Sequence, residues 1–480
     1  MQVASASRRA LALVLCLALA GCGGGGGAPT SVTPTPTPTT VTPTPSTTCS
    51  LRSRQDWAAG QLRTYYLFPE TLPASLDPAP YTSVQAYIDA LTATARSQNR
   101  DRFFTYVTSI AEENAFFASG STAAFGIRLQ TDGVARRVFV ADAYEGAPAL
   151  AAGLDRGTEI LAIGTSTADL RDVSAIIAAE GTGGITNALG PSTAGITRTL
   201  RITDSAGPRV VSVTKADFAI PPVSSRFGTR ILDNGGTRVG YVNLRTFIST
   251  ADPALRAAFA DFRAQGITQL IIDFRYNGGG LVSIAELMGD LLGDNRSSSD
   301  VFSYTTFRTE LASNNSTKFF SRQPQSLAPT KIAFIGTSAS ASASELVMNS
   351  MVPYLRANGA LIGSNTFGKP VGQIARDQAA CDDRLRVVAF ATQNSERRGN
   401  YYTGMASEIG ASCSAADDIN RPMGDPAEAS TRAALDFLAG RSCSAIAAEG
   451  RSLALGANGA RTLLVPERVD TVQREVPGTY

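Results

Sequence analysis

The chain contains no histidine among its 480 residues. That absence removes every Ser-His-Asp and Cys-His arrangement and every His-ligated zinc site, so a hydrolase built from this sequence needs another proton shuttle. Lysine is scarce too: of 43 basic residues only four are lysine, Lys215, Lys318, Lys331 and Lys369. A chain that writes nearly all its positive charge as arginine has little general need for lysine on its surface. Excess charge is also missing, since the net charge is +2 and no basic run stands out. That balance gives no ground for a nucleic-acid partner or for attraction to a membrane surface. Metal-type C-x-x-C spacing is lacking as well. What is present is ordinary for a soluble globular protein of roughly two to four domains, with 43% apolar and 18% charged residues.

The chain begins with an address. "SRRALALVLCLALAGC" joins two arginines, an apolar run too short for a comfortable membrane span, and small residues before Cys22. Leu19-Ala20-Gly21-Cys22 resembles the bacterial lipoprotein signal, which implies a signal peptide over residues 1–21 and lipidation of Cys22. The implied location is the bacterial cell envelope, with contact to the membrane through a lipid anchor only. Gly23 in place of Asp after the anchor favours the outer membrane, by resemblance to the known sorting rule. An ordinary secretory peptide is the plain alternative. Residues 22–48, Gly-rich and then Thr/Pro-rich, cannot pack a core and read as an extended tether.

Export permits disulfides, and Cys49, Cys381, Cys413 and Cys443 remain as candidates. Of the three pairings available, Cys381 with Cys413 and Cys49 with Cys443 are preferred. The first closes a local excursion, and the second ties the first ordered residue to the end of the main domain.

Periodicity then divides the chain. Residues 49–120 read as a small helical cap, with apolar positions at helical spacing in "RSRQDWAAGQLRTYYL" and "SVQAYIDALTATARSQ". Trp57, Tyr65, Tyr66 and Phe68 at such spacing are more often core than ligand platform. Residues 121–217 alternate like strands around the amphipathic "DLRDVSAIIAAEG". Residues 218–440 alternate strand and helix: "RVGYVNLRTF", "ALRAAFADFRAQG" closed by Gly266, "TQLIIDFR" and "LVSIAELMGDLL". Residues 441–480 form a C-terminal segment. The expectation is a multidomain α/β (α+β) protein: a helical cap, a β/α domain, and a mixed-sheet α/β core.

Three stretches of the core carry chemistry. "YNGGG" places three glycines at a strand-to-helix turn, where a bland turn needs one or two, so the backbone there can approach a ligand with N–H groups outward. "GTSASASASELVMNSM" sets small residues between an apolar strand and an apolar helix, a place for an exposed nucleophilic serine beside helix-terminal N–H groups. Ser342 with Glu345 also fits an S-x-x-E capping box, so capping alone competes with nucleophilic use. Lys369 stands in "TFGKPVGQ", where a deprotonable amine has a use that arginine cannot fill, and burial away from acidic groups would lower its pKa from ~10.4 towards the working range. A second S-x-x-K, Ser212 to Lys215, lies in an alternating strand with no helix to bring both side chains to one face.

Residues 121–217 resemble a PDZ domain, with Phe125, Gly126 and Ile127 as the carboxylate-binding loop. Together with "SASASE", "TFGKPVGQ" and "DFRYNGGG", they make residues 121–375 resemble the C-terminal processing peptidases, or tail-specific proteases. The resemblance implies a serine endopeptidase with Ser342 as nucleophile, Lys369 as general base and Gln373 orienting the lysine. An oxyanion hole from the N–H of Ala343 and of Gly279 or Gly280 follows from it. Protein or peptide substrates with free C-termini are implied, and no metal or organic cofactor. Two features depart from the family: the stretch from Glu345 to Lys369 is about two residues long of the norm, and no aspartate stands near Met351 to Tyr354. A catalytically inactive envelope lipoprotein that binds protein tails is the alternative.

Overall fold

The computed structural model describes residues 47–447, 461–467 and 469–480. The leader, Cys22 and most of the tether lie outside the described residues, as does the middle of the C-terminal segment.

A six-stranded sheet organises the core. Its order is Thr229–Asn234, Thr237–Asn243, Gln269–Asp273, Lys331–Gly336, Gly359–Gly363, Ala411–Ser414. The first two strands form a hairpin and all later neighbours are parallel. Parallel strands need cover on both faces, and alternation along each strand supplies it. Leu270 and Ile272 face a large cluster with helices Ala251–Ala264, Val282–Leu291 and Ala343–Leu355. Ile271, Ala333 and Ile335 face a smaller cluster with helix Ala429–Leu438. Burying such side chains stabilises by about 1.5–3 kcal/mol each, so the alternation fixes the register of every strand.

A second sheet is built on Asp383–Gln393, which pairs with Tyr106–Ser109, Val301–Phe307 and Val371–Gln378. The helical cap therefore contains a strand of this sheet, with Tyr106 opposite Arg386, before helix Ile110–Ser119. Trp57, Tyr65, Tyr66 and Phe68 pack in the apolar cluster between cap and sheet, which is the core reading of those aromatics.

The third sheet runs Thr462–Leu463, Ile127–Asp132, Arg137–Ala143, Glu159–Gly164, Thr197–Thr203, Arg209–Thr214. Helices Val173–Glu180 and Gly183–Leu189 pack on it. Ion pairs tie it to the core: the buried Arg245 Nε and Nη2 donate to Asp142 at 3.0 and 3.1 Å, and the half-buried Arg156 Nη2 donates to Asp417 at 2.8 Å.

The preferred disulfide pairing is corrected. Cys49 joins Cys381, and Cys413 joins Cys443. Cys413 lies on the edge strand of the six-stranded sheet, where Ser414 N–H bonds the Ser444 carbonyl, while Cys381 follows Val371–Gln378 of the second sheet. Cys413 and Cys443, with a sequence separation of 30, are nearer in sequence than Cys381 and Cys413, and Cys49 in the turn Thr47–Cys49 meets Cys381 in the turn Ala379–Cys381.

Candidate active site

Three loops at the ends of parallel strands converge here. Strand Gln269–Asp273 runs into Phe274–Gly280, strand Lys331–Gly336 into Thr337–Ser342, and strand Gly359–Gly363 into Ser364–Lys369. This is where open α/β sheets commonly hold ligands.

The serine-rich loop is stitched to the glycine loop. Ser340 Oγ donates to the Phe274 carbonyl at 2.7 Å, Ser344 Oγ to the Asn277 carbonyl at 3.1 Å, and Ala341 N–H to the same Asn277 carbonyl at 3.0 Å. Small residues serve that approach, because a Cβ on Gly279 would meet the Ser342 Cβ at 2.8 Å. Gly279 and Gly280 both have positive φ, 123° and 131°.

Ser342 has φ 54° and ψ −111°. An N-cap ordinarily sits in the extended region, and such a conformation in a non-glycine residue costs on the order of 1–3 kcal/mol. The capping box expected as the alternative is also formed, with Ser342 N–H donating to Glu345 Oε2 at 3.0 Å. Capping explains the box but not the strained backbone.

Glu345 is the hub. Fully buried, it accepts from Thr366 Oγ1 and Gly368 N–H on Oε1, each at 2.6 Å, and from Lys369 N–H on Oε2 at 2.7 Å. Ser342 and Lys369 thus donate their main-chain N–H to one carboxylate oxygen, which keeps the two residues within the span of two hydrogen bonds. Burial, foremost, raises the Glu345 pKa, and these donors oppose the rise.

Lys369 Nζ donates to Gln373 Oε1 at 2.8 Å, and Gln373 Nε2 donates to the Phe104 carbonyl. Burial lowers the Lys369 pKa; Glu475 opposes that and Arg474 adds to it. Arg102 Nη2 holds the Lys369 loop by the carbonyls of Phe367 and, at 2.8 Å, Gly368. The other lysines are occupied: Lys318 with Asp290 at 2.9 Å, Lys331 with the Leu438 carbonyl at 3.4 Å. Lys215 donates to the carbonyls of Gly190 and Pro191 at 2.8 Å each, and burial pushes its pKa down to about 8. It does not line the cavity of about 370 Å³ beside Lys369, whose walls include Phe104, Gly278, Ala341, Arg474 and Glu475.

Gly279 N–H is bonded to Asn277 Oδ1 at 2.9 Å. Of the expected oxyanion donors this leaves Gly280 and Ala343, whose N–H groups have no acceptor among the described residues. Sequence reading missed Glu345 as a bridge between loops, and it missed Arg102 and the Phe104 carbonyl, which come from the cap.

Phe125, Gly126 and Ile127 lie at the start of strand Ile127–Asp132. Gly126 has φ 85°, and a Cβ there would lie 2.0 Å from that of Ala147. The N–H groups of Gly126 and Ile127 both donate to the main-chain oxygen of Tyr480, at 2.8 and 3.1 Å.

The fold has a solved counterpart. A crystal structure from Bacteroides fragilis NCTC 9343, "Putative S41 protease", superposes with TM-score 0.62 at 21% identity, covering 80% of this chain and 97% of that one. The model of peptidase family S41 matches residues 238–400, a span that holds Gly279, Gly280, Ser342, Glu345, Lys369 and Gln373. Among curated proteins, "C-terminal processing peptidase, chloroplastic" of Tetradesmus obliquus is 28% identical over 275 residues, 54% of each chain. "Carboxyl-terminal-processing protease" of Picosynechococcus sp. is 27% identical over 252 residues, 52% of this chain and 55% of that one. The chain spans about half the length of these curated relatives.

Proposed function

We propose that the chain is a serine endopeptidase that cleaves exported, unstructured or C-terminally tagged proteins through an acyl-enzyme, with Ser342 as nucleophile and Lys369 as general base. Neutral Lys369 takes the Ser342 proton, and the alkoxide attacks the peptide carbonyl. Lys369 returns the proton to the leaving amine, and water then hydrolyses the ester. Ala343 and Gly280 N–H groups hold the tetrahedral oxyanion, each donor worth roughly 3 kcal/mol of barrier. Gln373 fixes the lysine rotamer.

The observation that carries the reading is the shared Glu345 oxygen, which accepts the main-chain N–H of a strained serine and of a half-buried lysine in a chain without histidine. Capture of substrate termini by residues 121–217, through the loop Phe125 to Ile127, is part of the proposal. So is anchoring of the protein in the envelope by lipid on Cys22. The names of the two curated relatives agree with action on carboxyl termini.

Digestion of an unfolded carrier protein tests the proposal, with Ser342→Ala and Lys369→Ala as controls. Both variants should keep the fold and lose all cleavage. Cleavage by either at the parental rate refutes the assignment.

A further inference from the structure

The C-terminal segment returns to both halves of the site. Residues 478–480 run antiparallel along strand Ile127–Asp132, on the edge that Thr462–Leu463 covers further along, with Thr479 opposite Arg128. Tyr480 N–H donates to the Ile127 carbonyl at 2.8 Å, and Leu129 N–H to the Gly478 carbonyl at 2.9 Å. The Tyr480 ring is buried in the apolar cluster of that sheet, and its hydroxyl lies 3.0 Å from Thr186 Oγ1. Thr479 Oγ1 meets Tyr144 OH at 2.8 Å, and the Pro477 carbonyl accepts from Arg128 Nε at 2.9 Å.

A few residues upstream the same segment crosses the catalytic loops. Gly278 N–H donates to the Glu475 carbonyl at 2.9 Å, and a Cβ on Gly278 would lie 2.2 Å from the Arg474 carbonyl. Gly279, the next residue, is the one packed against Ser342. Arg474 Nη1 is tied to the Phe103 carbonyl at 3.0 Å. A substrate strand running past Gly278 towards Ser342 would have to displace Arg474 and Glu475.

We propose that residues 469–480 are a tethered peptide ligand, seated in the groove at Gly126–Leu129 by the Tyr480 side chain and laid across the approach to Ser342, where they compete with substrate segments of the same kind. The substrate class that follows is an extended peptide segment that carries, in the place of Tyr480, an aromatic residue with a hydrogen-bonding tip. The effect on turnover rests on the peptidase reading, whereas occupation of the groove does not. Tethering gives an effective concentration on the order of 1 mM. For a free-peptide Kd of about 10–100 μM the groove is then open about 1–10% of the time, and freeing it raises turnover about 10–100-fold.

The test uses a fluorescent synthetic peptide of residues 469–480 and the Ser342→Ala protein with and without that segment. The shortened protein should bind the peptide at least ten-fold more tightly than the full chain does, and a peptide carrying Tyr480→Asp should bind at least ten-fold more weakly than the parent. Equal binding by full and shortened proteins, or none by the shortened one, overturns the proposal. If shortening prevents folding, hydrogen exchange of residues 471–480 in the full chain carrying Tyr480→Asp decides instead: lost protection supports the proposal, and unchanged protection overturns it. With Ser342 restored, the shortened protein should digest an unfolded carrier 10–100-fold faster. If neither form digests it while the peptide binds as stated, the groove's ligand stands and the peptidase reading fails.

Discussion

Replacing Glu345 by alanine should damage the site more than any single change outside the reacting groups. Its carboxylate accepts the main-chain N–H of Ser342, Gly368 and Lys369 and the hydroxyl of Thr366. Removing it leaves three main-chain donors without their acceptor in a buried region. Each costs about 1–3 kcal/mol, and because they share one partner the losses do not add fully, so a total on the order of 3–5 kcal/mol is expected. The kinetic effect is separate. Freed from the common oxygen, the Ser342 and Lys369 loops lose their register, and a misplacement of about 1 Å costs roughly 10²-fold in rate. Denaturant unfolding reads the first quantity, and the rate of acylation by a small active ester reads the second. Glu345→Gln keeps one carbonyl oxygen and should fall between the parent and the alanine variant in both. A Glu345→Ala protein with an unchanged unfolding midpoint and an acylation rate within two-fold of the parent would refute the reasoning.

Because burial lowers the Lys369 pKa, kcat/KM should rise with pH to a plateau, with an inflection below the ordinary lysine value of ~10.4; a rate flat from weakly acid to alkaline conditions contradicts lysine as base. The same shift has a stability sign: the stability it contributes is present above the unfolded pKa and lost as pH falls through the folded one, so a Lys369→Met protein should lose less stability than the parent as pH falls from above ~10.4 towards the lowered value, as read by denaturant midpoints. Glu475 favours charged Lys369, so Glu475→Gln should move the inflection of kcat/KM to lower pH, and an upward move would show that the two groups do not interact as described. Replacing Cys413 and Cys443 together by serine opens a loop with a sequence separation of 30 and should cost about 3–4 kcal/mol; an unchanged unfolding midpoint, or tryptic fragments linking Cys381 to Cys413, would contradict the pairing.

The strands and helices of the six-stranded sheet were legible because each is a short apolar run or an amphipathic repeat. "TQLIIDFR" and "KIAFIG" became Gln269–Asp273 and Lys331–Gly336, and the "ELVMNSM" helix starts at Ala343. The serine loop was legible from missing bulk, and Lys369 from the rarity of lysine. Much of the second sheet was not. "TFGKPVGQ" reads as a turn, yet Gln373 sits on strand Val371–Gln378, with a bulge at Gly372 that leaves no periodic trace. The supports of the lysine were hidden for another reason: Phe104 lends a carbonyl to Gln373 across 269 residues. A main-chain acceptor is chemically alike at every position, so only the fold can select it. The same holds for Tyr480, whose seat depends on a strand more than 300 residues earlier, and for Cys49, whose partner Cys381 lies at a sequence separation of 332.

The central claim is that Ser342 is a nucleophile made reactive by Lys369. Mass spectrometry after reaction of the purified protein with a small acylating or phosphonylating probe tests it most directly, since a small probe needs neither a captured tail nor a substrate of known sequence. The account predicts one adduct, on Ser342, absent from Ser342→Ala and lost in Lys369→Arg, because guanidinium does not deprotonate at working pH. An adduct on another residue, or full-rate labelling of Ser342 in Lys369→Arg, would contradict it.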